Sequence, residues 1–119
     1  MELRGRGTYI LVMELEDDQT IQVGKLGDLR FKKGIYLYVG SAMGGFRSRV
    51  RRYLSGIRAQ KWHIDYLLSR SKVRAVLLVP SDTRLESYVA ERLSGLFEEV
   101  HPGFGASDTR DRTHLFYVG

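Results

Sequence analysis

The sequence predicts an α/β fold of the α+β kind: a small, mostly antiparallel β-sheet flanked by about three helices. Three observations carry this. Apolar, β-branched runs of strand length recur at 8–15, 34–39, 73–79 and 114–118. Apolar residues at helical spacing fill 45–55, 60–69 and 84–98. No linker, repeat or low-complexity segment interrupts the 119 residues, so the whole of 1–119 is expected to form a single domain with a modest core.

Taken in order, Thr-Tyr-Ile-Leu-Val-Met-Glu-Leu at 8–15 reads as a largely buried strand. Glu16 to Gln19 is turn chemistry, 20–23 a return strand with alternating faces, and Gly24-Lys25-Leu26-Gly27 a second turn. The alternation at 29–32 and the strand at 34–39 follow, which places an extra N-terminal hairpin between the two long strands. The first helix is expected from 45 to 55, ended by Gly56. A second covers 60–69. Residues 73–79 read as another buried strand, stopped by Pro80, and a third helix as 84–98. A loop at 102–105 then leads to a last strand at 114–118.

Composition narrows the functional classes. There is no apolar run long enough to span a bilayer, and residues 1–4 lack the apolar segment of a signal peptide. With no cysteine, disulfides and thiolate metal sites are excluded. A cytoplasmic protein with no membrane partner is the expectation. The net charge is +5, but its distribution says more: residues 29–64 hold nine basic residues and no acid. Such segregation suggests one basic face for a polyanion, with ordinary solvated charge as the alternative.

The stretch 34–54 is where chemistry is expected. A strand runs through small residues and paired glycines into a helix carrying Arg47, Arg49, Arg51 and Arg52. Glycine permits close backbone approach, and a helix N-terminus favours an anion, so this reads as a phosphate site. On a helical wheel Phe46, Val50, Tyr53, Leu54 and Ile57 form the apolar stripe. Arg49 and Arg47 border it, while Arg51 and Arg52 look outward. A border arginine, partly buried, can present its fixed fork to a phosphate, and periodicity does not choose between the two.

Glu86 invites two readings. Thr83-Arg84-Leu85-Glu86 fits a capping box, in which the carboxylate bonds the cap amide. On the wheel, however, Leu85, Val89, Leu93 and Leu96 set the core stripe, and Glu86 lies on its flank beside the small Ala90. That leaves room for one hydrated Mg2+ or Mn2+ ion, which needs few carboxylates. Glu91 is the runner-up and points more towards solvent.

Tyr38-Val39-Gly40-Ser41-Ala42, then Phe46, Arg49 and Tyr53, resembles the second half of the GIY-YIG nuclease signature, and Gly7-Thr8-Tyr9 its first half. Gly34-Ile35-Tyr36 spells the first tripeptide literally but lies too close to Tyr38 to occupy a separate strand. Trp62-His63-Ile64-Asp65-Tyr66-Leu67 and Gly103-Phe104-Gly105 with Ser107-Asp108 are similar to a small, mostly archaeal, single-domain branch of that superfamily. The resemblance selects Arg49 over Arg47 as the phosphate-steadying residue and makes Glu86 the metal ligand. It implies that the hydroxyls of Tyr9 and Tyr38 line an active site, Tyr9 orienting or deprotonating water. An unperturbed phenol titrates near ~10, so a base role would need help.

The chain departs from the family in two places. Tyr53 stands where many relatives carry histidine; it can hydrogen-bond a phosphate oxygen or water without being a cation, a catalytic or substrate-shaping role, or it is core filler on the apolar stripe. The late asparagine of many relatives is absent, with Ser107 or Asp108 as substitutes. His63 reads either as a satisfied structural histidine or as part of the substrate groove, and the roles of Asp65 and His114 stay open.

The resemblance therefore implies a metal-dependent endonuclease that hydrolyses DNA phosphodiesters in repair, recombination or processing. Gly40 and Ser41 would let the strand approach, with Arg47, Arg51, Arg52, Arg58 and Lys61 as phosphate or DNA contacts. Targeting by a further domain or subunit is expected, given how little surface one small domain offers. The rivals are a DNA-binding module without turnover and a protein-interaction domain whose basic face meets an acidic partner.

Overall fold

In the computed structural model, residues 3–55, 60–106 and 109–119 are described. The architecture is α+β, as the sequence predicts. Strands β1 (Gly7–Leu15), β4 (Gly34–Ala42), β5 (Lys72–Pro80), β6 (Glu98–Glu99) and β7 (Leu115–Tyr117) form one sheet in the order β5-β1-β4-β7-β6. Every pairing in it is antiparallel. Strands β2 (Gln19–Gln22) and β3 (Asp28–Phe31) form the expected separate hairpin, closed by a single 3₁₀ turn at Gly24–Leu26. Helices α1 (Phe46–Leu54), α2 (His63–Leu68) and α3 (Glu86–Ser94) complete the fold.

Strand β1 organises the sheet because it pairs on both edges. Its side chains alternate across the pleat. Tyr9, Leu11, Met13 and Leu15 enter the larger core, with Tyr36, Tyr38, Phe46, Tyr53, Ile64, Leu67 and Phe104. Ile10 packs on the opposite face with Val39, Phe116, Ala90, Val89 and Leu93, where α3 closes a smaller core. Helices α1 and α2 and the hairpin thus cover one face and α3 the other.

Strand β4 runs further than the sequence suggests, through Gly40, Ser41 and Ala42, because these pair with Tyr9, Thr8 and Gly7. Gly7 has φ +154°, and an added Cβ would meet the Val79 carbonyl oxygen at 2.1 Å, so only glycine fits between β1 and the neighbouring edge strand. The tight turn at 43–45 then starts α1, whose Phe46 N–H donates to the Gly5 carbonyl at 3.0 Å. One amide of the helix N-terminus expected to face a phosphate is therefore satisfied within the chain.

Three expectations need correction. Residues 73–79 do not form a buried strand: β5 is an edge, paired to β1 alone, and Leu77 is 52% exposed. Its Lys72 and Arg74 pair with Glu16 and Glu14, so the edge carries charge, a common guard against strand addition. Helix α3 stops at Ser94 with Gly95 as its C-cap, and Glu98 and Glu99 become β6 by pairing with Tyr117 and Phe116. Leu96, placed on the core stripe by periodicity, is 72% exposed, as is Leu54 of α1 at 64%. Gly56 and Ile57, expected to end and extend the α1 stripe, lie outside the described residues.

Candidate active site

The antiparallel register of β1 and β4 sets Tyr9 opposite Gly40, and Leu11 opposite Tyr38. Both tyrosines therefore project from the same sheet face, towards α1. The ring of Tyr9 lies over Gly40, where a Cβ would fall 2.2 Å from its hydroxyl, so the glycine is a packing requirement of the tyrosine. Tyr53, reaching in from α1, shares a 2.6 Å hydrogen bond between its hydroxyl and that of Tyr9. Burial pushes the Tyr9 phenol far above its ordinary range, and the neighbouring Tyr53 and Tyr38 add to this, against a pull from Arg49. Burial likewise raises Tyr38 and Tyr53. All three phenols stay protonated at neutral pH.

These hydroxyls line a cleft of about 580 Å³. Arg49, Ser41, Lys61 and His63 line it too, and so does Glu86 from the start of α3. Six elements or turns of the chain thus bring Tyr9, Tyr38, Ser41, Arg49, Tyr53, Lys61, His63 and Glu86 together. Arg49 is half-buried, and its Nε donates to the Ser41 carbonyl at 3.2 Å. Among the described residues no carboxylate lies within ion-pair reach of it. Arg47 and Arg51 are exposed and outside the cleft lining. Arg58 lies outside the described residues.

Arg52 departs from its outward wheel position. Its guanidinium pairs with the fully buried Asp65 of α2 and keeps only 25% of its side chain exposed. Asp65 also accepts from the backbone N–H groups of Lys61 and Trp62, each at 2.8 Å, which answers the open question of its role. Arg52 is a brace between two helices.

The capping-box reading of Glu86 is overturned. Leu85, not Thr83, precedes the first helical residue, and the Thr83 amide turns back to Ser81 Oγ at 3.0 Å. The Glu86 carboxylate, 19% exposed, lies 3.6 Å from Nδ1 of His114. His114 is completely buried, and its Nε2–H donates to Asp111 at 2.7 Å. The same Asp111 oxygen accepts from Ser87 at 2.6 Å. Partial burial works against the Asp111 charge, but the bonds from His114 and Ser87 outweigh it and hold the carboxyl below its usual range. His63 is fixed differently: its Nδ1 accepts the Gly105 N–H at 2.8 Å, which leaves the proton of the neutral ring on Nε2.

The match to a family model covers residues 8–119, described as a domain of unknown function, DUF123. The chain belongs to the DUF123 family. Comparison with curated proteins found no match, and neither did comparison with solved structures.

Several cleft residues of this DUF123 domain escaped the sequence reading. Arg84 reaches Ser41 Oγ at 3.5 Å from just ahead of α3, and Met43, Ser87 and Thr109 complete the rim. Arg84 falls at the expected start of the third helix but off its apolar stripe, so no spacing singles it out, and it lies just ahead of α3. Trp62 carried a signal in its neighbours His63 and Asp65, but its contact with Arg49 is visible only in three dimensions. Ser107 and Asp108, named as stand-ins for the missing asparagine, lie outside the described residues. Among the described residues no three of His, Asp and Glu gather as a metal-ligand cluster, and no helix is long and apolar enough to cross a membrane.

Proposed function

We propose that the cleft is the active site of a metal-dependent endonuclease of the GIY-YIG type, hydrolysing DNA phosphodiester bonds. The observation that carries this reading is convergence. Tyr9 of β1, Tyr38 of β4, Arg49 of α1 and Glu86 of α3 come from four different elements, and all line one cleft with further cations at its rim. A fork-shaped cation, protonated hydroxyls and one carboxylate are the groups that in-line attack of water on a phosphodiester requires.

The donor set fits the implied ion. Glu86 supplies a hard, partly exposed carboxylate oxygen, and Mg2+ or Mn2+ commonly takes one or two carboxylates plus substrate oxygens and water. Bound there, the ion would supply charge stabilisation at the leaving oxygen. Arg49 steadies the negative charge that builds on the phosphoryl oxygens. Because burial keeps Tyr9 protonated, it orients the attacking water by hydrogen bonding; that water gives its proton to solvent in the cleft, and the leaving oxygen takes one from solvent. Arg84 and Lys61 draw the backbone into the cleft.

Incubation of the pure protein with supercoiled plasmid and Mg2+ or Mn2+ tests the reading. Nicking is expected, and both Arg49→Ala and Glu86→Gln should slow it by about a hundredfold, the scale of one lost transition-state contact. The second reading, a DNA-binding module without turnover, is favoured by the Tyr9–Tyr53 bond, which occupies hydroxyl capacity that water would use. Salt-sensitive DNA retention with no nicking at any metal concentration would select it.

A further inference from the structure

The guanidinium carbon of Arg49 lies 4.3 Å from the centroid of the Trp62 ring, and that of Arg52 lies 4.5 Å from it. Both are close cation–π contacts. The two arginines nevertheless differ in electrostatic state. Arg52 is neutralised by Asp65, whereas among the described residues Arg49 has a single hydrogen bond, to the Ser41 carbonyl. The backbone that carries the ring is held by hydrogen bonds. Asp65 takes the Trp62 and Lys61 amides, and the Arg52 pair ties that junction back to α1.

We infer that Trp62 is a positioning residue for Arg49. The inference rests on the endonuclease reading for its consequence but not for its geometry. The indole forms a floor for the guanidinium, and the Ser41 carbonyl fixes its rotation from one side. Among the described residues neither terminal nitrogen of Arg49 has a hydrogen-bond partner, so the fork is held by groups that leave its two bidentate donors for a phosphate. Holding a guanidinium this way reduces the rotamer freedom it would otherwise lose on meeting the transition state. Asp65, Arg52 and Trp62 then act as a connected support behind one cation, which explains why a buried carboxylate is found so near a basic cleft.

Trp62 is the single tryptophan of the chain, so its emission reports on this contact without any need for turnover. Arg49→Ala, in the absence of DNA, should change Trp62 emission, while Arg70→Ala at an exposed site should not. Unchanged emission in Arg49→Ala would overturn the inference. A kinetic cycle supplies the second arm. Trp62→Ala should lower single-turnover nicking by about tenfold with DNA affinity within about twofold, and Trp62→Phe should recover most of the rate. The double variant of Trp62→Ala and Arg49→Ala should nick no more slowly than Arg49→Ala alone. Losses that multiply, or a Trp62→Ala rate equal to wild type, would also overturn it. If the wild type does not nick at all, the endonuclease reading fails separately, and the emission arm still decides whether Trp62 holds Arg49.

Discussion

At the scale of single residues, the site divides into groups that are charged and groups that burial keeps neutral. The three phenols belong to the second set, Asp111 to the first. Asp111 is the most informative because its carboxylate ties α3 to the C-terminal segment, through Ser87 on one side and His114 on the other. Its folded pKa is depressed, so its contribution to stability is fully present above the unfolded value of ~4 and is lost as pH falls through the folded value. Asp111→Asn should therefore destabilise the domain at pH 7 by about 1.5 kcal/mol, the cost of weakening a hydrogen bond to a charged group. At an acid pH below the depressed folded value the two proteins should approach each other, because the wild-type carboxyl is then protonated too. Urea titrations at the two pH values check this; a difference that stays constant would show that the charge is not what matters. Spacing places Arg49 and Glu86 at the borders of apolar helix stripes, and the family resemblance then selects Arg49 over Arg47 and makes Glu86 the metal ligand. The Asp111–His114 pair was not legible in the sequence, because no periodicity links a loop residue to the first residue before β7.

At the scale of elements, short-range pattern and long-range pairing disagree in instructive places. An apolar run such as 73–79 has the same composition in a central strand and at an edge. Only the count of neighbours distinguishes them, and β5 has one. Residues 95–99 continue a plausible helical pattern, yet Glu98 and Glu99 are drawn into the sheet by β7. Local propensity loses there to tertiary pairing. The junction of α1 and α2 shows the same principle in charge. Helical periodicity places Arg52 with Arg51 on the solvent face, but a buried carboxylate on the next helix captures it. Removing one partner of a buried pair leaves the other uncompensated, so Arg52→Ala should destabilise the fold by about 3 kcal/mol. Arg51→Ala, at an exposed position, should stay within about 0.5 kcal/mol of wild type. Equal melting temperatures for the two variants would mean that the brace contributes nothing to stability.

At the scale of the whole molecule, the charge segregation seen in the sequence becomes a graded surface. Arg49, Lys61 and Arg84 line the cleft, while Arg47 and Arg51 lie exposed on the outer face of α1. If the cleft cations act on the scissile phosphate and the outer pair on flanking backbone, the two sets should separate in a salt titration. Each phosphate contact contributes roughly 0.9 to the slope of log K against log salt for duplex DNA. Arg47→Glu with Arg51→Glu should lower affinity and flatten that slope by about 2, since both contacts become repulsive and their counterions are no longer released. Arg49→Ala should leave the slope nearly unchanged, within about 1, because the bulk attraction comes from elsewhere. Arg52 belongs with neither set: its charge is already matched by Asp65, so its replacement should alter folding before binding. Fluorescence anisotropy of a labelled duplex across a range of salt measures all of these in one series. A slope insensitive to Arg47 and Arg51 would move the DNA path off α1 and leave the basic face without that role.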